Sequence, residues 1–564
     1  MVKKLKVVLG KTGNGPPKGM WKKQSIFWEL SYWKHLRIRH CLDVMHIEKN
    51  VCESLVGLLL NIPGKTKYGI NVRKDMELMN IRPELTPKPI PGRITKFLPP
   101  ACYTMSKDEK TKFCECLYGV KVPSGYSSNI RKLVSMKDLK LSGMKSHDCH
   151  VLMTQMIHIA IRGILPDRIR HIITKLCLFF NMIHSKVIDP EVLNKYQRDI
   201  ILTLCELEMY FSPSLFDVMV HLVSHIVGEI RESGPVFLRY MYPFERYMSI
   251  LKGYVRNHNR PEGSIVEGYA SEEVIDFCTD YMDGIKSVGI PLSRHEGRLS
   301  GQGTIGRDLG YLKNVGDIHD AHFTVLQHTT AIDPYIQEHE SCLKRENPQW
   351  NAKWSTLPDV DKTVQVLAFG PRQVIRYQGY EINGYTFHTK TQDDKGRTHN
   401  SGVTVIASRT EVTIINREER LRIAKNSYYG VIEEIWELEY GGSVFVPLFR
   451  CKWADNQKGV KIDEDCFTTV NLSTNGYPTE PFVLATLVTQ VFYIEDPKES
   501  RWHVVQFEKR RIVGVEDVVD EEEYDQFDEL PPFSVGVAPM NEVNENDTIY
   551  FREDHREGDE VQDT

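Results

Sequence analysis

The sequence lacks a CxxC pair, a long apolar run and a secretory signal. Its twelve cysteines follow no regular spacing, and Cys114 and Cys116 are separated by a single residue. That spacing is too short for a usual zinc site, and on a helix the two thiols would point apart. The longest apolar runs, such as the one around Leu58 to Leu60, cannot span a bilayer. We therefore expect reduced thiols in a nuclear or cytoplasmic protein that is neither secreted nor bound in a membrane.

The net charge of −5 hides an uneven distribution of charge. Residues 1–20 are basic and have little apolar periodicity, which predicts a disordered basic arm. Residues 516–564 are rich in Asp and Glu and predict a disordered acidic tail. This asymmetry fits a nucleic-acid-binding body with an acidic tail, and it fits equally an ordinary protein with a solubilising tail.

The hydrophobic periodicity changes along the chain and predicts an α+β protein. A Pro-rich, extended connector is predicted from Lys65 to Pro100, and residues 101–347 then carry the spacing of amphipathic helices. Residues 362–515 instead carry short β-branched and aromatic runs separated by turns, which predict a sheet, barrel or sandwich. The later part of this region is typical of a small barrel that binds peptides or tails.

Asp43 and His46 lie at the start of a helix predicted from Ile47 to Leu60. Residues three apart share a helix face, so the Asp43 carboxylate could hold Mg²⁺ while His46 orients it or contacts a phosphate. The alternative is structural. Asp43 would then cap the helix, and His46 would form a local hydrogen bond.

Glu245 lies in the segment GPVFLRYMYPFERYMSILKGYVRN, which predicts a helix beside the core. A carboxylate near a core and flanked by cations suits a metal ligand whose nucleic-acid substrate is held by the neighbouring positive charge. The alternative is an acid that offsets the helix macrodipole and pairs with Arg246 or Arg239. The stripe expected to face the core comprises Phe244, Tyr247, Met248 and Leu251.

The histidines of KSHDCH, Lys145 to His150, do not by themselves predict a metal site. His147 and His150 share a helix face, but Cys149 points away from it, and no further ligand is evident in the sequence.

The pattern around Glu245, followed by Arg260-Pro261-Glu262-Gly263, resembles the end of the catalytic region of plant CACTA (En/Spm-type) transposases. RHCLDVMHIEKNV resembles the second catalytic block of that family, and KSHDCHVLMTQ resembles its helical insertion. YYGVIEEIWELEY and the stretch to FYIEDP resemble a transposase-associated plant domain of unknown function. By this resemblance the chain is an N-terminally truncated member of the family.

The resemblance implies a partial RNase H-like core with a large all-α insertion, followed by a mainly β domain. In this family three carboxylates hold two divalent ions, Mg²⁺ here, for phosphodiester cleavage. Asp43 would be the second acid, with His46 beside it, and Glu245 would be the third. Residues 21–100 would be the remnant of the core and the connector, and the first acid is missing. We therefore expect vestigial metal ligands, and no cleavage or Mg²⁺ binding unless a second subunit donates an acid.

The expected function is binding to DNA, either at transposon ends or without sequence preference. One alternative is a non-enzymatic interaction module that binds proteins through the β domain and the acidic tail. Another is a decayed transposase fragment without a selected function. An oligomer is compatible with each. The expected DNA-binding residues are Arg239, Arg246, Lys252, Arg256 and Arg260.

Overall fold

The structure is a computed structural model. It describes residues 26–124, 126, 129–282, 303–306, 309–310, 315–329, 367, 369–415, 418–441, 444–463, 467–507, 550, 552, 554 and 557–562. The predicted basic arm at residues 1–20 lies outside this set, as does most of the predicted acidic tail.

Helices pack around one large apolar core in the part of the chain up to residue 236. The longer helices of this part of the chain each bury an apolar stripe, as Ile169, Ile173, Leu176 and Phe180 do in the helix at 167–183. A π-helical turn at Leu152–Met156 joins two shorter helices. The helices are α1 (Val44–Leu59), α2 (Ile70–Leu78), α3 (Lys107–Gly119), α4 (Ser146–Val151), α5 (Ile157–Ala160), α6 (Asp167–Ile183), α7 (Leu193–Tyr210), α8 (Val218–Ser233), α9 (Tyr242–Tyr254), α10 (Pro261–Tyr281), α11 (Val315–Gln327) and α12 (Lys390–Lys395).

Side-chain caps fix where several helices begin. The serine-to-acid spacing of Ser106 and Glu109 predicts a capping box at the start of α3. The prediction is confirmed, because the Ser106 hydroxyl accepts a hydrogen bond from the Glu109 N–H and the Glu109 carboxylate accepts one from the Ser106 N–H. Asp217 caps α8 in a similar way by accepting the N–H groups of Met219 and Val220.

Helix α2 lies in the segment that the sequence predicted as an extended connector, so that prediction was wrong at residues 70–78. The helix buries Ile70 and Met76, and its Arg73 donates hydrogen bonds to the carbonyl oxygens of Leu85 (3.1 Å) and Pro99 (2.6 Å). Buried carbonyls of the Pro-rich stretch thus find their partner on α2, a tertiary contact that local periodicity does not reveal.

The apolar stripe predicted to face the core on α9 is exposed instead. Phe244 is 60% exposed and Met248 is 58% exposed, and no residue of α9 is buried. On the following helix the spacing of apolar residues predicts a second core-facing stripe, and it is exposed as well, with Phe277 at 69%. The residues of that stripe are Val266, Tyr269, Val274, Phe277 and Cys278. The two helices pack on each other, since a Cβ on Gly268 would lie 2.7 Å from the Tyr254 ring. Amphipathic spacing predicted both helices but not which face would be covered.

A nine-stranded antiparallel sheet dominates the C-terminal half, in the order β12-β13-β16-β15-β9-β10-β11-β14, with β6 also paired to β10. The sequence predicts separate strands at Val403 to Ala407 and at Val412 to Ile415, but both runs belong to the single strand β9, which pairs with β10 along its whole length. The strands are β1 (Lys88–Pro89), β2 (Thr95–Leu98), β3 (Val134–Ser135), β4 (Lys140–Leu141), β5 (Gly303–Ile305), β6 (Gln373–Tyr377), β7 (Gly379–Ile382), β8 (Tyr385–His388), β9 (Gly402–Ile415), β10 (Glu418–Tyr440), β11 (Val444–Trp453), β12 (Val460–Ile462), β13 (Thr468–Val470), β14 (Phe482–Leu484), β15 (Thr489–Glu495), β16 (His503–Phe507) and β17 (Asp559–Gln562).

A buried ion pair joins the helical body to the large sheet. Arg162, just after α5, donates from Nε and Nη2 to the two carboxylate oxygens of Asp496, at 3.1 and 2.8 Å. The guanidinium also lies over the ring of Phe467, on which the ring of His158 stacks. Phe467 and Phe492 of the sheet region belong to the core of the helical body. The two parts therefore share one interior.

The predicted α+β class is confirmed, because helices and antiparallel sheets both form large parts of the fold. Every strand pairing among the described residues is antiparallel, and the RNase H-like core stays a prediction. Strand β17 pairs with β2, so residues 559–562 are ordered where the sequence predicted a disordered tail. The described cysteines are free thiols, and none of the described helices is long and apolar enough to cross a bilayer.

Candidate functional site

The start of α1 is held in place by a buried carboxylate on α8. Glu229 accepts the backbone N–H of Leu42 with both of its oxygens, at 2.8 and 3.0 Å, and it binds Nη1 of Arg239 at 2.8 Å. Leu42 immediately precedes Asp43. The position of Asp43 is thus fixed by a charge-assisted hydrogen bond from another helix.

Asp43 and His46 form the compact pair that their spacing predicts. One Asp43 oxygen accepts the backbone N–H of His46 at 3.1 Å and so caps α1, and the other lies 2.6 Å from Nδ1 of the same histidine. Both side chains are partly exposed. This geometry is that of the structural alternative, and it engages both carboxylate oxygens without a metal.

Glu245 lies in the first turn of α9 and is exposed. At this position the helix macrodipole stabilises a negative charge. The charge of Glu245 and that of Asp43 both affect Tyr242, the first residue of α9. Burial raises the pKa of Tyr242, and the charges of Glu48, Glu245 and Asp43 raise it further. The two acids assigned by resemblance therefore act on the same phenol, although they are far apart in sequence.

Below this pair lies a cluster of one carboxylate and two imidazoles. Glu48, on the second turn of α1, is 1% exposed. Its Oε2 lies 3.0 Å from Nδ1 of His150 on α4 and 3.1 Å from Nε2 of His184, which ends α6. Tyr240 completes the arrangement with its hydroxyl 2.6 Å from Nδ1 of His184. Residues of three helices therefore meet at one carboxylate, and the segment before α9 contacts one of the two histidines.

The electrostatics of the cluster favour an ionised carboxylate. Burial disfavours the charge, but His184 and His150 outweigh burial and lower the pKa of Glu48 to about 2. The second oxygen, Oε1, is buried and has no hydrogen-bond partner among the described residues. The hydroxyl of Tyr242, which the charge of Glu48 also affects, is likewise buried without a partner in the described part of the chain.

Sequence reasoning missed this cluster because its members lie far apart in the chain. Glu48 and His150 are separated by 102 positions, and Glu48 and His184 by 136. One signal was present. Glu48 occupies a core position of α1, between the buried residues Val44 and Cys52 at i−4 and i+4, where an acid requires a partner.

The basic residues predicted to bind DNA fall into two groups. Arg239 is mostly buried and is engaged by Glu229, and it also donates to the Gly234 carbonyl oxygen. The others lie on an exposed surface that runs along α9 to the first residues of α10. These exposed residues are Arg246, Lys252, Arg256 and Arg260.

The carboxylates present do not fit the two-ion Mg²⁺ site that the resemblance implies. Among the described residues, the group of three side chains with suitable metal-ligand spacing is Glu48, His150 and His184. Neither Asp43 nor Glu245 belongs to it. Mg²⁺ prefers oxygen ligands at octahedral positions, whereas this group offers two imidazole nitrogens.

Two family models match parts of the chain. Residues 183–295 match Domain of unknown function (DUF4218), and residues 436–505 match Domain of unknown function (DUF4216). Both domains are typical of plant transposase-like proteins. The DUF4218 segment contributes His184, Tyr240, Tyr242 and Glu245 to the site, while the DUF4216 segment contributes strands of the large sheet. No curated protein and no solved structure matches the chain.

Proposed function

We propose that this chain is a protein of CACTA transposase origin that binds DNA through α9 and the start of α10 and does not cleave DNA on its own. The DUF4218 and DUF4216 segments support the transposon association. The observation that carries the DNA-binding proposal is the exposed run of cations on the DUF4218 segment, next to the acid assigned by resemblance.

Each exposed cation can displace a counterion from a DNA phosphate, which gives affinity without sequence preference. Lys252, Arg256 and Arg260 lie within one helix end and the following turn, so one stretch of DNA backbone can engage all three. Arg239 has a different role in this account. Its ion pair with Glu229 positions the segment that carries Leu42 and Asp43.

The lack of cleavage follows from the ligands at hand. Asp43 is engaged by His46, Glu245 is exposed on α9, and the buried Glu48 is engaged by two histidines. Among the described residues, no three carboxylates lie at metal-ligand spacing from one another. Two-ion catalysis requires both ions to be held by convergent oxygens. Mg²⁺ would therefore enter only in an oligomer whose second subunit donates an acid. Such a protein acts on chromosomal DNA, so we place it in the nucleus.

An alternative function is protein binding by the β domain, and a DNA-binding test separates the two. We expect binding of the full chain to random duplex DNA to weaken steeply with salt. Replacing Lys252, Arg256 and Arg260 with alanine should reduce the slope of log K against log salt by about 0.9 for each phosphate that the variant no longer neutralises. The measurement is fluorescence anisotropy over a salt series.

A matched control removes the same amount of charge from elsewhere on the surface. The triple variant Lys132→Ala, Lys137→Ala and Lys458→Ala changes three exposed lysines that are remote in sequence from α9. It should retain the slope of the unmodified protein. Equal slopes for all three proteins would refute the assignment of α9 as the DNA-binding surface, and no binding at low salt would leave protein binding as the function.

A further inference from the structure

We infer that Glu48, His150 and His184 form a binding site for one divalent transition-metal ion, with zinc as the best match. This site is separate from the Mg²⁺ site implied by the family resemblance, because it shares no ligand with Asp43 or Glu245. The inference is also independent of DNA binding.

Two of the three distances between ligand atoms are close to those of a tetrahedral zinc centre. Glu48 Oε2 lies 3.0 Å from His150 Nδ1 and 3.1 Å from His184 Nε2, and all three ligand atoms lie within 4.8 Å of one another. Zinc bonds to nitrogen and oxygen of about 2.0 Å place tetrahedral ligand atoms about 3.3 Å apart. Small side-chain shifts would therefore admit the ion.

A second observation points to a missing ligand at this place. Glu48 is fully buried, yet its Oε1 has no hydrogen-bond partner among the described residues, and the nearby Tyr242 hydroxyl also has none there. Unpaired buried polar atoms are costly, so native proteins rarely leave two together. A bound ion could take the carboxylate, and the phenol could then bond to the ion or to its water.

The surroundings also resemble those of a metal-bound histidine. Such a histidine normally has its other ring nitrogen held by an oxygen, which fixes the ring orientation. In this protein the Tyr240 hydroxyl lies 2.6 Å from Nδ1 of His184, so that Nε2 is directed at Glu48. Tyr240 would be a positioning residue rather than a ligand.

The donor set selects the class of metal. Two imidazoles and one carboxylate suit zinc and similar transition metals, whereas Mg²⁺ and Ca²⁺ prefer oxygen donors alone. The ion would brace α1, α4 and the end of α6 against the segment that leads into α9. It would thereby fix the relative positions of the helices that carry Asp43 and Glu245.

The test uses the full chain after removal of metal with a chelator. Co²⁺ is titrated while its visible absorption is recorded, Zn²⁺ is then added, and bound metal is counted by mass spectrometry. We expect one equivalent, an absorption spectrum typical of four- or five-coordinate Co²⁺, and displacement by Zn²⁺. X-ray absorption of the zinc form should show imidazole ligands at about 2.0 Å.

Variants assign the ligands. Glu48→Gln and His184→Gln should each lower the Zn²⁺ affinity more than about 100-fold, and Tyr240→Phe should lower it about 10- to 100-fold. The matched control is His221→Gln with His225→Gln, since these exposed α8 histidines have their Nε2 atoms 3.1 Å apart. The control should retain full affinity.

Circular dichroism shows whether each variant folds. If a variant does not fold, the amount of metal bound by the unmodified protein tests the inference instead. Failure of the unmodified protein to bind one equivalent of Co²⁺ or Zn²⁺ would overturn the inference. Unchanged affinity in His184→Gln, or loss of binding in the His221 and His225 control, would overturn it as well.

Discussion

Replacing Arg162 with alanine is expected to destabilise the protein by about 3–5 kcal/mol. The Arg162 side chain is 7% exposed, and its guanidinium holds both oxygens of Asp496, which is 4% exposed. The substitution leaves that carboxylate buried without its cation. It also removes the packing of the guanidinium on the ring of Phe467. Because the pair joins α5 to the end of β15, the helical body and the sheet should both lose stability.

Urea unfolding followed by circular dichroism measures the effect. The control is Lys390→Ala, which removes an exposed ion pair with Asp394 one helical turn away. Exposed pairs of this spacing contribute about 0.3–0.5 kcal/mol, so the control should unfold close to the unmodified protein. If Arg162→Ala and the control unfold at the same urea concentration, the buried ion pair does not hold the helical body and the sheet together.

His158 makes the stability of the protein sensitive to acid. Burial, together with the positive charge of Arg162, lowers the pKa of His158 from 6.5 to about 3. Between these two values the unfolded chain binds a proton that the folded protein does not, so stability falls as the pH falls. At about 1.4 kcal/mol per pH unit, the loss from pH 6.5 to about pH 4 is about 3 kcal/mol. Well above pH 6.5, where His158 is neutral in both the folded and the unfolded state, this contribution no longer changes with pH.

The variant His158→Phe isolates this effect. Phenylalanine preserves a ring that can stack on Phe467, where the rings now lie 5.2 Å apart, but it cannot bind a proton. Urea midpoints measured at about pH 7 and at about pH 4 should therefore differ less for the variant, by the equivalent of about 3 kcal/mol. Equal pH dependence in both proteins would show that His158 does not titrate in the way its buried position requires.

Local sequence rules predicted much of the secondary structure. The capping box at Ser106 begins α3 as expected. The run predicted as a strand at 429–440 forms the second half of β10, and the run predicted at 444–453 forms its partner β11. These signals depend on residues a few positions apart, so they can be read from the sequence without the structure. Helix α2 was not predicted, because the hydrogen bonds from Arg73 to carbonyl oxygens 12 and 26 positions later are tertiary contacts that a local pattern does not show.

The candidate site was predictable only in part. The pairing of Asp43 with His46 follows from a spacing of three, and the structure places the pair at the start of α1. The convergence of Glu48, His150 and His184 depends on the packing of three helices, which no local pattern encodes.

The residues on and near α9 show two ways in which a local sequence pattern fails to predict burial. The burial of Arg239 depends on a carboxylate ten positions earlier, on α8, which local periodicity does not reveal. The apolar stripe on α9 shows the reverse case, where a clear pattern did not determine which surface became buried.

Incubation of the full chain with supercoiled plasmid and Mg²⁺ tests the central claim most directly. Each reaction is divided before electrophoresis, and one half is treated with protease. Our account predicts retarded migration in the untreated half and intact supercoiled plasmid in the treated half, because the protein binds DNA without cutting it. Nicked plasmid that appears with the unmodified protein and disappears with Glu245→Ala would contradict the account, since it would show a complete catalytic site.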